Sequence, residues 1–138
     1  MVTVDANIWI AAFDPHDRFH EESTHFLTIV AKRHLPVVGP AFVVVECACA
    51  VARRTGNVGI AAEIQQRLYA YPHLILLPIN ERFLTAATAL GIQHMVRGAD
   101  ALYVAAAHLS QTQLISWDDE LCRRASAVTA KVWLAGSG

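Results

Sequence analysis

The chain reads as an α/β domain built on a parallel sheet with helices on both faces. Three observations predict it. Short apolar runs alternate with longer helical stretches from one end to the other. Those runs, such as HLILLPI over 73–79, are apolar at successive positions rather than at every second one, the pattern of strands covered on both sides. At 138 residues the chain fits one domain. A domain of that size buries roughly two-thirds of its unfolded surface, so no disulfide or structural metal is required to hold its core.

Each element follows from its own residues. Val2–Asp5 is a short strand, and Ala6–Phe13 a helix capped by Asp5 or Asn7. Asp14–Asp17, with Pro15, is a polar turn. His20–His34 is helical, with Phe26, Leu27, Val30 and Ala31 on one face and Glu21 and Glu22 at the positive end of its dipole. Leu35–Gly39 is the second strand. Pro40 suits the first turn of a helix that runs through Glu46 to Arg54 and stops near Gly56. Asn57–Tyr71 is a helix ended by Pro72, His73–Ile79 the third strand, and Asn80–Leu90 a helix ending at Gly91. Ala99–Ser110 is an alanine-rich helix opened by a turn at Gly98. Thr112–Trp117 is the fourth strand, Asp118–Ser126 a short helix and Val128–Leu134 the last strand. No internal repeat or linker appears before the Gly-Ser-Gly tail.

Composition narrows the function. Hydrophobic residues make up 54% of the chain and charged ones 17%, which excludes disorder. Mean hydropathy is +0.35. The longest candidate for a membrane span, Val37 to Val51, is interrupted by Pro40 and Glu46 and closed by Arg53 and Arg54, too short to cross a bilayer. No secretory leader is recognisable. The expectation is a cytoplasmic domain without membrane contact, carrying more apolar residues than its own core uses and hence a partner surface. Eleven basic residues, nine of them arginine, oppose twelve acidic ones, so any nucleic-acid binding must come from a local basic patch. Cys47, Cys49 and Cys122 match neither a zinc site nor a disulfide framework and are read as reduced thiols.

In a parallel sheet, ligands sit beyond the carboxyl ends of the strands where strand order reverses, so the acids at strand-to-helix junctions are the candidates. Asp5 ends the first strand, Asp118 follows the fourth, and Asp100 lies in the first turn of the alanine-rich helix. Helix capping alone explains each of these, and Asp119 and Glu120 as well. Glu46 lacks that explanation. It sits inside VVVECACAV, where an ionised carboxylate in a dry core costs several kcal/mol. Either it faces water or a distant arginine, or it joins other acids in a polar pocket. Clustered carboxylates repel, so such a pocket implies a cation, and an all-oxygen set suits Mg²⁺ or Mn²⁺ rather than Zn²⁺.

The segments VTVDANIWI, VVVECACAV, GADALYVAAA and LISWDDEL resemble the four acidic motifs of PIN-domain ribonucleases. The subset most like them is the toxin component of VapBC-type toxin–antitoxin pairs. The likeness covers nearly the whole chain, in the right order and length. It implies a PIN-like domain over 1–135 with a short tail at 136–138, and a strand order 3-2-1-4-5. It makes Asp5, Glu46, Asp100 and Asp118 the catalytic, metal-binding acids, with Asn7 and Ser116 in support. Either member of the Asp118–Asp119 doublet can supply the fourth carboxylate, and the spacing from Ser116 favours Asp118. The resemblance further implies a Mg²⁺- or Mn²⁺-dependent endoribonuclease cleaving single-stranded RNA with a metal-activated water. It also implies a homodimer and a small antitoxin partner.

Arg97, Arg53 and Arg54 are candidates for holding RNA phosphates, against plain roles in a solvated loop or at a helix C-terminus. His16 and His20 with Asp14 and Asp17 are better explained as a turn entering a helix than as metal ligands. His108 reads as packed or surface, and Trp9, Trp117 and Tyr103 as core or pocket-wall aromatics rather than base-stacking platforms. Helices His20–His34 and Asn57–Tyr71, with Ile60, Ile64, Leu68 and Tyr69, are expected to border the partner groove. Two rival readings remain. One is a non-enzymatic interaction module on the same scaffold. The other is a phosphoaspartyl phosphotransferase with Asp5 as nucleophile, which would want an acid where Asn7 stands and a lysine after a strand end.

Overall fold

The computed structural model describes residues 1–131. Five short strands, β1 (Val2–Val4), β2 (Val37–Pro40), β3 (Leu74–Leu77), β4 (Leu114–Ser116) and β5 (Thr129–Lys131), form one sheet in the order β3-β2-β1-β4-β5. Every pairing is parallel. The switch in strand order falls between β1 and β4, where Thr3 pairs with Leu114 and Val4 with Ile115. The expected order and parallel sheet are both present.

Seven helices surround this sheet among the described residues: α1 (Ala6–Phe13), α2 (His20–Lys32), α3 (Phe42–Thr55), α4 (Val58–Tyr69), α5 (Glu81–His94), α6 (Gly98–Ser110) and α7 (Asp119–Arg124). Helix α6 lies along β1 and β2, with α5 packed on it, while α1 packs on α2 and α3, and α3 on α4. The core is the set of strand interiors and facing helix stripes, with Val4, Ile8, Val37, Val43, Cys47, Leu68, Tyr103, Val104 and Leu114 fully or almost fully buried. No described helix is long and apolar enough to cross a membrane. The three cysteines are free, with Cys49 exposed.

Several boundaries differ from the sequence reading. Pro40 does not open a helix but closes β2, paired with Leu77, and α3 starts two residues later. Proline at a strand's last position loses no ladder bond that the strand needs, and the Ala41 N–H takes over by donating to Leu77 O at 2.8 Å. Gly91 does not end α5, which continues to His94 and is closed by Met95 in a left-handed conformation, φ 55°. The glycine is there for packing: a Cβ at Gly91 would lie 2.9 Å from the Ala101 Cβ on α6. Gly56 does act as the expected stop, at φ 65° after α3. Ile64 and Leu68 of α4 are core rather than partner surface, whereas Ile60 and Tyr69 are exposed. Of the expected last strand, 132–134 lies outside the described residues, as do the expected domain end at 135 and the tail at 136–138.

Candidate active site

Four segments deliver their acids to one end of the sheet. Asp5 follows β1 directly and begins α1, but its side chain makes no capping bond. It is 5% exposed, and its Oδ2 accepts a 2.7 Å hydrogen bond from Ser116 Oγ at the end of β4. The same hydroxyl accepts from Asn7 Nδ2 and from the Asp118 N–H, each at 3.0 Å. One serine thus satisfies three groups, and Asn7 Oδ1 also accepts from the Trp117 N–H at 3.3 Å. Asn7 and Ser116, which the family resemblance named in support, both lie in this network beside Asp5.

Glu46 comes from the second turn of α3 and Asp100 from the first turn of α6. Glu46 Oε1 accepts from the Tyr103 hydroxyl at 2.9 Å. Asp118 divides its carboxylate. Oδ1 caps α7 through the Leu121 N–H at 3.0 Å, and Oδ2 accepts from Arg97 at 3.2 Å. Arg97 also donates through Nε to Asp100 Oδ2 at 3.1 Å, so one guanidinium bridges two of the four acids. Its side chain is 80% exposed.

Asp5, Glu46, Asp100 and Asp118 all line a single open cleft of about 400 Å³, with Asn7, Asp17, Phe19, Arg54, Arg97 and Trp117 among its other walls. Of the acidic doublet, Asp118 lines the cleft, and Asp119 is exposed. Of the candidate arginines, Arg54 and Arg97 line it and Arg53 does not. Arg54 is held at 2.8 Å and 2.9 Å to Asp14 and Asp17, which fastens the Asp14–Asp17 turn to the end of α3. That pairing, with His20 Nδ1 set 2.8 Å from Ala11 O, explains the turn residues structurally, as expected.

The electrostatics of the cleft are those of crowded carboxylates. Burial pushes the Asp5 carboxyl up from an ordinary 3.8 to about 7; Ser116 opposes that rise, and the charges of Glu46 and Asp100 add to it. Glu46 is raised too, first by burial and then by Asp100, against the Tyr103 hydrogen bond. Tyr103 and Cys47 are held neutral by burial beside these acids.

This donor set fits a hard divalent cation: four carboxylates besides the Arg54-paired Asp17, and no thiol or imidazole among the walls. Among the described residues no base pairs with Asp5 or Glu46, and both share their field with Asp100. Among the described residues no three such side chains already converge as a ready cage. Tyr103 instead holds Glu46, Ser116 holds Asp5, and Arg97 bridges Asp100 and Asp118.

Sequence reasoning passed over Phe19, and it placed Tyr103 as an aromatic of the core or pocket wall without its bond to Glu46. Tyr103 lies three residues after Asp100, which puts both on one helix face, and that spacing was the available signal. Phe19 stands between a turn and a helix, where no periodicity marks it.

Solved structures with a similar fold include three from bacteria. VapC20 of Mycobacterium tuberculosis, described as a sarcin–ricin loop cleaving toxin, shares 16% identity over 89% of this chain and 94% of its own, with a TM-score of 0.74. FitAcB of Neisseria gonorrhoeae shares 18% over 96% and 99%, with a TM-score of 0.68. VapBC2 of Rickettsia felis, bound to a DNA fragment from its promoter, shares 13% over 95% and 98%, with a TM-score of 0.71. No curated protein matches the chain by sequence. At these identities the structural likeness speaks for the fold alone. The family assignment comes from the PIN domain model, which matches residues 2–127, nearly the whole chain: the chain belongs to the PIN-domain family.

Proposed function

We propose that this PIN domain is a Mg²⁺- or Mn²⁺-dependent endoribonuclease that cuts single-stranded RNA, acting as the toxin of a toxin–antitoxin pair in the cytoplasm. One observation carries the reading: four carboxylates from four separate segments line one open cleft beyond the carboxyl ends of β1 and β4. A lone cap at each position does not explain why all four line the same cleft. Family membership and the likeness to VapC and VapBC structures support a nuclease of the toxin–antitoxin kind.

Asp5, Glu46, Asp100 and Asp118 would hold the ion or ions. A bound divalent cation supplies Lewis acidity to the scissile phosphate and to the attacking water. The chain's own residues set the stage for it. Ser116 and Asn7 fix the Asp5 carboxylate at the floor of the cleft, and Tyr103 fixes Glu46 at its side. Arg97, released from Asp100 and Asp118, has the reach and the exposure to take an RNA phosphate, and Arg54 borders the same path. The exposed apolar side chains, Ile60 and Tyr69 on α4 and Leu84 and Ile92 on α5, are assigned to a second copy and an antitoxin segment.

Incubation with labelled single-stranded RNA tests the reading. Cleavage that needs Mn²⁺, stops with EDTA and is lost in Glu46→Gln supports it. No cleavage under any divalent ion favours the interaction module, and covalent phosphate on Asp5 favours the phosphotransferase.

A further inference from the structure

At the rim of the acid cleft stands a stack of three side chains. The Phe19 ring lies on the Trp117 indole with centroids 4.1 Å apart and planes 6° from parallel. The Arg18 guanidinium carbon lies 4.5 Å from the Phe19 centroid. One face of Phe19 is taken by the indole, so Arg18 covers the other. Phe19 and Trp117 both line the cleft, and both are only partly buried.

The two rings are held on both sides. Trp117 directly precedes Asp118; its indole N–H donates to the buried Ser23 Oγ at 2.8 Å and its backbone N–H donates to Asn7. The Phe19 N–H donates to Asp17 Oδ1 at 2.8 Å, and Asp17 in turn is held by Arg54. Arg18, by contrast, is exposed. A cation over a ring in water is a weaker partner than a nucleobase stacked on it, so the cover is easily displaced.

We propose that Phe19, backed by Trp117, seats one unpaired nucleobase of the RNA beside the scissile phosphate, with Arg18 moving aside to cover the base or pair its phosphate. This rests on the ribonuclease reading above and adds a base-binding subsite to it. An aromatic face accepts any base, so the subsite selects for unstacked, single-stranded RNA rather than for a sequence. Its attachment to Asp118 through the adjacent backbone couples the seated base to the acids. A duplex, whose bases are stacked inside, cannot use it.

The test is binding in EDTA, where no cleavage occurs, read by fluorescence anisotropy. A short single-stranded RNA is compared with an abasic oligomer of the same length and charge. The wild type is expected to bind the base-bearing RNA about tenfold more tightly. Phe19→Leu removes most of that preference and leaves abasic binding unchanged, whereas Phe19→Tyr keeps it. Equal binding of the two oligomers by the wild type, or an equal loss for both in Phe19→Leu, overturns the proposal. The wild-type comparison stands even if the leucine variant fails to fold. A parallel cleavage assay with Mn²⁺ separates the two claims. Cleavage without base preference overturns the subsite alone; base preference without cleavage overturns the nuclease and keeps the subsite.

Discussion

Ser116 Oγ donates a 2.7 Å hydrogen bond to Asp5 Oδ2, joining residues 111 positions apart across the β1–β4 pairing. The bond is the hinge of the site because Ser116 also accepts from Asn7 and from the Asp118 backbone. Replacing Ser116 by Ala strips a buried carboxylate of its side-chain donor. We expect a loss of about 1–3 kcal/mol at pH 8, where Asp5 is ionised. The loss is smaller at pH 5, where the protonated carboxyl can itself donate. Urea denaturation at the two pH values measures both, and equal losses contradict the assignment.

Asp5 itself makes stability depend on pH in the direction opposite to a salt-bridged acid. Its folded value, about 7, lies above the ordinary 3.8, so between these limits the folded protein binds more protons than the unfolded chain. The stabilising contribution of the protonated form is complete below about pH 4 and is lost as pH rises through about 7. A shift of this size corresponds to something on the order of 4 kcal/mol. In EDTA, wild type should therefore lose stability from pH 5 to pH 8 relative to Asp5→Asn. Parallel pH profiles for the two proteins would show that burial does not strain this carboxyl.

Arg97 is the counter-ion that bridges Asp100 and Asp118, and on the proposed function a bound cation would compete with it. It is solvent-exposed, so Arg97→Ala should leave melting in EDTA nearly unchanged. The same variant should bind Mn²⁺ several-fold more tightly, because the acids no longer need to exchange one cation for another. Titration calorimetry measures this, and unchanged or weaker binding argues against competition.

The α5–α6 seam offers a test of how packing positions the site. In Gly91→Ala, the new Cβ meets the Ala101 Cβ at 2.9 Å, on the turn that carries Asp100. Overpacking of this kind costs about 1–3 kcal/mol, more than the gain in helix propensity of roughly 1 kcal/mol. Thermal melting should therefore fall, and metal binding should weaken with it as Asp100 shifts. A variant more stable than wild type would mean that the helices yield freely.

Much of the fold was legible because buried parallel strands and helices leave different periodicities, and the acids fall where such strands end. Glu46 was legible for a different reason, as a charge in an apolar helix with no cap to form. The strand order came only through the resemblance, since periodicity says nothing about which strands pair. Pro40 and Gly91 misled because each has two physical uses. Proline suits a helix start or a strand end, and glycine suits a helix stop or a close helix contact. Tyr103 was read as a core or pocket-wall aromatic and is core, but its hydroxyl also fixes Glu46, a contact between residues 57 positions apart. Phe19 depends on a stacking partner nearly a hundred residues away, and no local pattern encodes such a pair.

The central claim is that the four acids exist to hold a metal rather than to support the fold. Thermal melting of wild type and Glu46→Gln, each in EDTA and in Mn²⁺, tests it most directly. The amide can still accept from the Tyr103 hydroxyl while removing one charge from the cleft. The account predicts that Glu46→Gln melts at the same temperature as wild type or higher in EDTA. Mn²⁺ at a hundredfold excess over its Kd should stabilise wild type by about 2.7 kcal/mol and the variant far less. A variant that melts several degrees lower in EDTA, beside a wild type indifferent to Mn²⁺, would contradict it.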